Sequence, residues 1–554
     1  MKTINLKLIA IIAGTILFSV AFWQQQMGLN VLVYAIFILL VLKLVYKNAF
    51  TQTTQLAVGA GVLISALVIT WHASVFAKLM FIVSVLLLPG VMHTPQLKTV
   101  FVALVQSIVN YFTSYKISEN MLQQKSKGKA MLSGSIRFIK IAIIPVILLI
   151  IFYQLFKFAN PVFYEMSADV FASVSDFLTR MFGNFPFLRV LFTLWGLSII
   201  TGLLYQSKLR NLVLFENRFT EFLSRTVLRN NSLQLLRARV YNPLTMKLKN
   251  EYRSAYILML SINILLLVVN IIDISWIWIG FKYTRGFDLK QFVHEGTYLL
   301  IISILLSMSI MMYYFRGNLN FYPLRKRLEW LAYFWIFQNA ILVISVVLRN
   351  LHYITYFGLA YKRIGVIIFL VLTGIGLVTL LIKIRNRRSG FYLWRVNGWA
   401  LYVVLILASV VNWDFVIATV NTNHPLKNNI ETSFLLQLSD KSLYIIDKNA
   451  NVLNQPEDFN VYQHFYGKTY NDVYTAKVNA FMKKMDKRTF WSYNYAELTC
   501  YRYLKQKYGK TAIKPNNVAH YIPMFYLYNQ APTNHHNFIS REQIFLNSFV
   551  NTID

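Results

Sequence analysis

Apolar runs alternate with short charged breaks from Leu6 to Val416. The runs fall at Leu6–Trp23, Val31–Tyr46, Leu56–Trp71, Val75–Met92, Phe138–Phe156, Leu188–Tyr205, Ala255–Gly280, Glu295–Phe315, Trp330–Leu348, Gly365–Ile384 and Gly398–Val416. Each approaches the length of about 20 residues that an α-helix needs to cross a hydrocarbon layer about 30 Å thick. The pattern predicts eleven membrane spans. Val100–Phe112 stands apart: it is short, and its Gln106, Ser107 and Asn110 suit an interfacial or re-entrant helix. In Lys157–Pro186, Phe163, Met166, Val170, Val174, Phe177 and Met181 recur at spacings of three and four. That periodicity predicts an amphipathic helix, lying on the membrane surface or packed on the bundle.

The pattern changes after Asp414. Ala418–Asp554 contains no span and is rich in Asn, Lys and Tyr. Phe434, Leu438, Leu443 and Ile446 predict a short helix, and Val473–Leu504 one or two more. The predicted fold class is all-α: a polytopic transmembrane helix bundle with a small, mostly helical C-terminal domain outside the cytoplasm. Its expected organisation is a four-span region at 1–92, a basic cytoplasmic segment at 93–137, a seven-span core at 138–417 and the extracytoplasmic domain at 418–554.

Composition sharpens this. The chain is 56% hydrophobic and 14% charged, against about 25% charged for a soluble domain. Its net charge of +33 would fit a nucleic-acid binder, but the charge sits in loops. Lys98, Lys116, Lys125, Lys127, Lys129 and Arg137 lie in one, and Gln206–Arg253 carries ten basic residues. Arg325, Lys326 and Arg327 lie in a third, and Arg385, Arg387 and Arg388 in a fourth. With eleven spans and an inside amino terminus, all four loops face the cytoplasm, as the excess of Lys and Arg in inner loops requires. A twelfth span at Val100–Phe112 would place one cluster outside. The tail holds 15 Lys and Arg against 10 Asp and Glu, so no nucleic-acid partner is expected. Cys500 is the only cysteine, which excludes an internal disulfide. Lys2 and Lys7 before Leu6–Trp23, with Ser19-Val20-Ala21, also fit a signal peptide; the apolar run that follows favours an uncleaved first helix.

Known catalytic signatures are missing. No His-Glu-x-x-His occurs. Gly509-Lys510-Thr511 and Gly467-Lys468-Thr469 lack the earlier glycine of a phosphate loop, with Leu504 and Tyr462 in its place. There is no Gly-x-Ser-x-Gly elbow. His535-His536 is a pair in a polar tail, and sequence neighbours do not share a helix face. No catalytic residue, metal or cofactor is expected, and the chain reads more readily as non-enzymatic.

Polar residues inside apolar spans are costly and so mark candidate sites. Asn263, Asn270 and Asp273 share one helix face, as do Gln338, Ser345 and Arg349. His294 and Tyr298 share another, while Glu295 points elsewhere, near a helix amino end whose dipole favours an anion. His294 has a reference pKa near 6.5 and could sense pH, though capping is the plainer role. The topology gathers Asp273, His294, Glu295, Tyr298, Arg349, Lys362, Arg363 and Asp414 at the outer face. The expectation is a polar vestibule partly roofed by the tail, with an Asp273–Arg349 or Glu295–Arg363 ion pair as its simplest element. The alternative is charge that snorkels to the headgroups or pairs structurally.

Several stretches resemble a bacterial membrane family built on a domain of unknown function, of the 4153/4173 type. They are "LKNEYRSAYILMLSINILLLVVNIID", "FVHEGTYLLI", "YITYFGLAYKRIGVIIFLVLTGIGL", "NWDFVIATVN" and "DKRTFWSYNYAELTCYRYL", with Asn160-Pro161 in keeping. The likeness runs from about Ile139 to Leu504, and departs from the family pattern at Phe357 and Ala360. It implies a bacterial inner-membrane protein with an extracytoplasmic tail and supplies no reaction. Beside the bilayer, the expected partner is an envelope protein held by that tail. An envelope sensor or assembly scaffold is the first functional reading. A transporter or ligand-handling protein with the vestibule is the alternative, and an intramembrane enzyme acting on lipid or envelope precursors is the third.

Overall fold

A computed structural model describes residues 2–46, 48–123, 187–205, 210–225, 243–279, 289–424, 432–450 and 470–509, with residues 149, 152, 153 and 173. Among the described residues every element is helical except one isolated bridge, Phe222 with Arg388. The apolar helices are α1 (Lys2–Phe22), α2 (Leu29–Val45), α3 (Thr53–His72), α4 (Val75–His93), α5 (Val100–Gln123) and α6 (Phe187–Leu204). A short α7 (Arg210–Asn217) precedes α8 (Pro243–Asp273), α9 (Leu289–Tyr314), α10 (Arg325–Phe357), α11 (Tyr361–Arg385) and α12 (Gly390–Val410). Among the described residues six helices are long and apolar enough to cross a membrane, and five shorter apolar helices accompany them. The described chain is all-α, with several candidate membrane spans. The expected span at Phe138–Phe156 and the amphipathic stretch at Lys157–Pro186 lie outside the described residues.

Local chemistry sets the turns. Ala73, at φ 44°, ends α3 in the left-handed region, and the Ser74 side chain then accepts from Ala77 N to start α4. Ser389 caps α12 through Tyr392 N, well before the expected start at Gly398. That helix also ends earlier than expected. Asn412 accepts from Phe415 N and opens α13 (Trp413–Thr422), so the predicted Gly398–Val416 span crosses a helix boundary.

Contacts at helix ends define two faces. Tyr46 Oη donates to Leu204 O, His93 reaches Leu203 O at 2.8 Å, Lys383 Nζ reaches Phe315 O at 2.6 Å and Arg325 reaches Ile384 O at 2.9 Å. These ends form one face, which also carries Lys98, Arg316, Arg385, Arg387, Arg388 and Arg395 and is here the basic face. Helix α5 keeps close to it: Asn110 donates to Gly202 O and Tyr205 O, and Ser107 Oγ accepts from Gly90 N. It thus lies across the ends of α4 and α6. On the same face Glu216, buried at the end of α7, accepts from Lys98 N, Thr99 N and Thr99 Oγ1. A carboxylate there satisfies the exposed amides and complements the dipole at the start of α5.

The tail covers the opposite face. It comprises α13, α14 (Thr432–Gln437), α15 (Leu443–Lys448), α16 (Tyr470–Asp486) and α17 (Tyr495–Tyr508), with 3-10 turns at Asp440–Ser442 and Phe490–Ser492. The predicted helices around Phe434–Ile446 and within Val473–Leu504 are therefore present. Ile417, Leu435, Leu443, Ile446, Phe481, Cys500 and Leu504 share one apolar cluster with Leu359 and Ile364 of the α10–α11 turn. Two further clusters fill the bundle, one from α1–α6 and one from α8–α11, and α12 contributes Tyr402 to the first and Tyr392 to the second.

Candidate functional site

The polar faces read from α8 and α10 meet each other. Asn263 Nδ2 donates to Leu331 O at 3.0 Å, and Asn270 Nδ2 donates to Gln338 O at 3.1 Å. Each acceptor lies 68 residues after its donor, so the two helices run parallel in fixed register. Gln338 Nε2 returns a hydrogen bond to Asn263 Oδ1 at 2.8 Å. A π-helical turn, Ile274–Ile279, follows Asp273 directly and aims Trp278 Nε1 at Ser345 Oγ, 3.0 Å away. At this end Arg349 Nη2 donates to Asp273 Oδ1 at 2.6 Å, with both side chains less than a tenth exposed. Asparagines seven residues apart at a helix interface fix register at a cost in stability, and part of this seam is that device. The remainder is not consumed by it. Asn270 Oδ1, Asp273 Oδ2 and Gln338 Oε1 are buried without a hydrogen-bond partner. Every one is an acceptor, so the seam has capacity for a donor: water, a proton or a cation.

Asp414 builds a second cluster where the tail meets the bundle. It sits in the first turn of α13, where the helix dipole favours a carboxylate. Tyr361 Oη donates to it, Ser439 Oγ donates at 2.6 Å and Lys441 Nζ lies at 2.8 Å. Lys441 also donates to His72 O at 3.0 Å, and His72 Nε2 is 3.1 Å from Val410 O. One buried lysine thereby joins the tail to the end of α3, whose His72 ring reaches the end of α12. A second attachment lies beside it. Leu29 N donates to Tyr493 O at 3.0 Å, Gln26 N donates to Ser492 Oγ at 2.9 Å and Arg488 Nη2 reaches Gln26 Oε1 at 2.6 Å. Gly28 is needed there, since a Cβ would stand 2.5 Å from Tyr493 O.

Of the other nominated residues, Tyr298, Lys362 and Arg363 have described side chains. Arg363 donates to Phe357 O and Gly358 O, closing the carbonyl end of α10, and its guanidinium lies 4.2 Å from the Tyr353 ring centroid. Lys362 is exposed and Tyr298 is half-exposed. His294 and Glu295 lie on α9, and their side chains fall outside the described residues, as does a Glu295–Arg363 pair. A crevice of about 330 Å³ lies near the basic face between Phe101, Met308, Leu380 and Trp394. Among the described residues no group of three His, Cys, Asp or Glu could hold a metal ion.

Sequence reasoning missed Lys441, Glu216 and a third cluster inside the tail. Asp447 accepts from Tyr474 and Tyr508 on one oxygen, and from Tyr503 and Lys507 on the other. Burial pushes its carboxyl up, but these hydrogen bonds together outweigh that and hold it below the ordinary carboxylate value. Glu497 behaves likewise: burial raises it, and Arg488 with Asn494 brings it below its usual value. Burial pushes the Cys500 thiol up to about 12, which leaves it unreactive. The missed residues carry no periodic signal, because each partner comes from a distant stretch of chain.

Comparison with curated proteins and with solved structures gave no match. The family model that does match is Domain of unknown function (DUF4153), over residues 13–449. The matched stretch takes in the second half of α1 and all of α2–α4, which the motif resemblance left aside, and ends before "DKRTFWSYNYAELTCYRYL". It contains the α8–α10 seam and the Asp414–Lys441 junction, and leaves out α16 and α17. The chain belongs to the DUF4153 family.

Proposed function

We propose that this protein is a bacterial inner-membrane scaffold or sensor of the cell envelope, with the basic face toward the cytoplasm and the tail outside. The excess of Lys and Arg on the basic face supports that orientation. The observation that carries the reading is the Lys441 junction: a buried cation held at once by Asp414 and by the carbonyl of His72. A load applied to the tail therefore passes into α3 and α13, and through Tyr361 into α11. Phe490 and Tyr495 are about two-thirds exposed on the tail and offer an aromatic contact to a partner. Photo-cross-linkers placed at Phe490 and Tyr495 in living cells are expected to trap a defined envelope protein. Recovery of none from either position contradicts the scaffold reading.

The unpaired acceptors of the seam favour a second reading, in which the bundle handles a proton, a cation or a small ligand through Asp273. Purified protein in liposomes then conducts protons or a monovalent cation, and Asp273→Asn abolishes the flux. Liposomes that show no flux above empty controls remove this reading and leave the first untouched.

A further inference from the structure

We infer that the crevice at the basic face is a binding site for an anionic phospholipid drawn from the surrounding bilayer. Its walls come from both halves of the bundle. Phe101 of α5 stands on one side, Met308 of α9 with Gly376 and Leu380 of α11 on the other, and Trp394 and Gly398 of α12 form the floor. The lining is almost wholly apolar, and its one amide, Asn397, is turned to Thr379 Oγ1 and Leu393 O. Glycines help make the space: a Cβ at Gly376 would meet Met308 Cε at 3.1 Å, and one at Gly398 would meet the Phe101 ring at 3.4 Å. The flanks are apolar and exposed, at Phe101, Leu305, Leu306, Val378 and Trp394. A crevice in such a flank opens to acyl chains, because the side chains around it are suited to hydrocarbon and not to water.

The charge at one end fixes the class of lipid. Lys98 precedes Phe101 by three residues, Arg316 follows the last turn of α9, Arg385 ends α11 and Arg395 adjoins Trp394. Lys98, Arg316 and Arg385 are exposed, while Arg395 lies 3.2 Å from Glu221 and is partly neutralised. Three unburied cations lie within about two turns of the apolar lining along their helices, the kind of charge that holds an anionic headgroup at a pocket between helices. The chains would fill the crevice between α5, α9, α11 and α12, where α12 contributes to both bundle clusters. The lipid thus completes the packing between the halves.

Full-length protein extracted in mild detergent tests this, with retained phospholipids released and quantified by mass spectrometry. The expected result is anionic phospholipid enriched over its share of the membrane. Each basic residue near the surface contributes about 1 kcal/mol, so Arg316→Gln and Arg385→Gln should each lower retention about fivefold. Gly398→Leu, which fills the crevice, should abolish retention. Both arginines are exposed, so their variants keep the fold if Gly398→Leu does not. The inference fails if retained lipid matches the bulk membrane composition. It fails equally if the arginine variants, or a folded Gly398→Leu protein, hold as much anionic lipid as the wild type.

Discussion

The α8–α10 seam and the Lys441 junction both bury charge, but they differ in how fully they are satisfied. At the junction Asp414 receives Tyr361, Ser439 and Lys441, and the lysine has a second acceptor in His72 O. In the seam Asp273 spends one oxygen on Arg349 and leaves the other unpaired, as are Asn270 Oδ1 and Gln338 Oε1. An unsatisfied buried acceptor costs about 1–3 kcal/mol. A saturated carboxylate holds its elements in one arrangement; an unsaturated one keeps the capacity to bind something. The junction accordingly reads as a clamp and the seam as a place where the bundle can respond.

Acid should separate the tail from the bundle most strongly. Asp447 and Glu497 have folded values below their ordinary ones, so the stability they supply is complete at neutral pH. It is lost as pH falls from the ordinary carboxylate range through those lowered values. Hydrogen exchange of α16 and α17 should therefore accelerate on acidification while the apolar faces of α3 and α4 stay protected. Simultaneous loss of protection in both regions would break the distinction.

The next largest effect belongs to Lys441→Met, which leaves Asp414 buried without its cation. Breaking a buried pair in this way costs about 3–5 kcal/mol, to be read as a fall in Tm in detergent with early exposure of the tail. Asp273→Asn should cost less, about 1–3 kcal/mol, because an amide oxygen can still accept from Arg349; thermal unfolding of the same preparation compares the two. Ser345→Ala removes only the acceptor of Trp278 Nε1 and should cost about 0.6 kcal/mol, the average for such interhelical bonds in membranes. The change in tryptophan emission would report it even where Tm does not move. An Asp273→Asn effect larger than that of Lys441→Met would reverse the assignment of clamp and responsive seam.

Much of this was legible in the sequence because apolar length and helical spacing are local properties. The run Ala255–Gly280 announces α8, and the seven-residue step from Asn263 to Asn270 announces the face that meets Gln338 and Arg349. Which acid pairs with which base was less accessible. Asp273 with Arg349 is one of two expected pairings and is formed; for the other, Arg363 donates to carbonyls at the end of α10, and the Glu295 side chain lies outside the described residues. Lys441 had no signal, because its partners Asp414 and His72 are brought to it only by folding of the tail onto the bundle. The end of α12 was misplaced for a related reason: Asn412 stops an apolar run that hydropathy alone carries to Val416.

The central claim is that the tail is clamped to the bundle and is not a tethered appendage. Gln26 N and Ser492 Oγ lie 2.9 Å apart across that boundary, and Cys500 is buried and the chain's single cysteine. In a Cys500→Ser background, Gln26→Cys with Ser492→Cys should form a disulfide in native membranes at high yield, without loss of thermal stability. A control pair, Gln26→Cys with Tyr495→Cys, should form it less readily. Equal yields from the two pairs, or no bond from the first, would contradict a clamped tail.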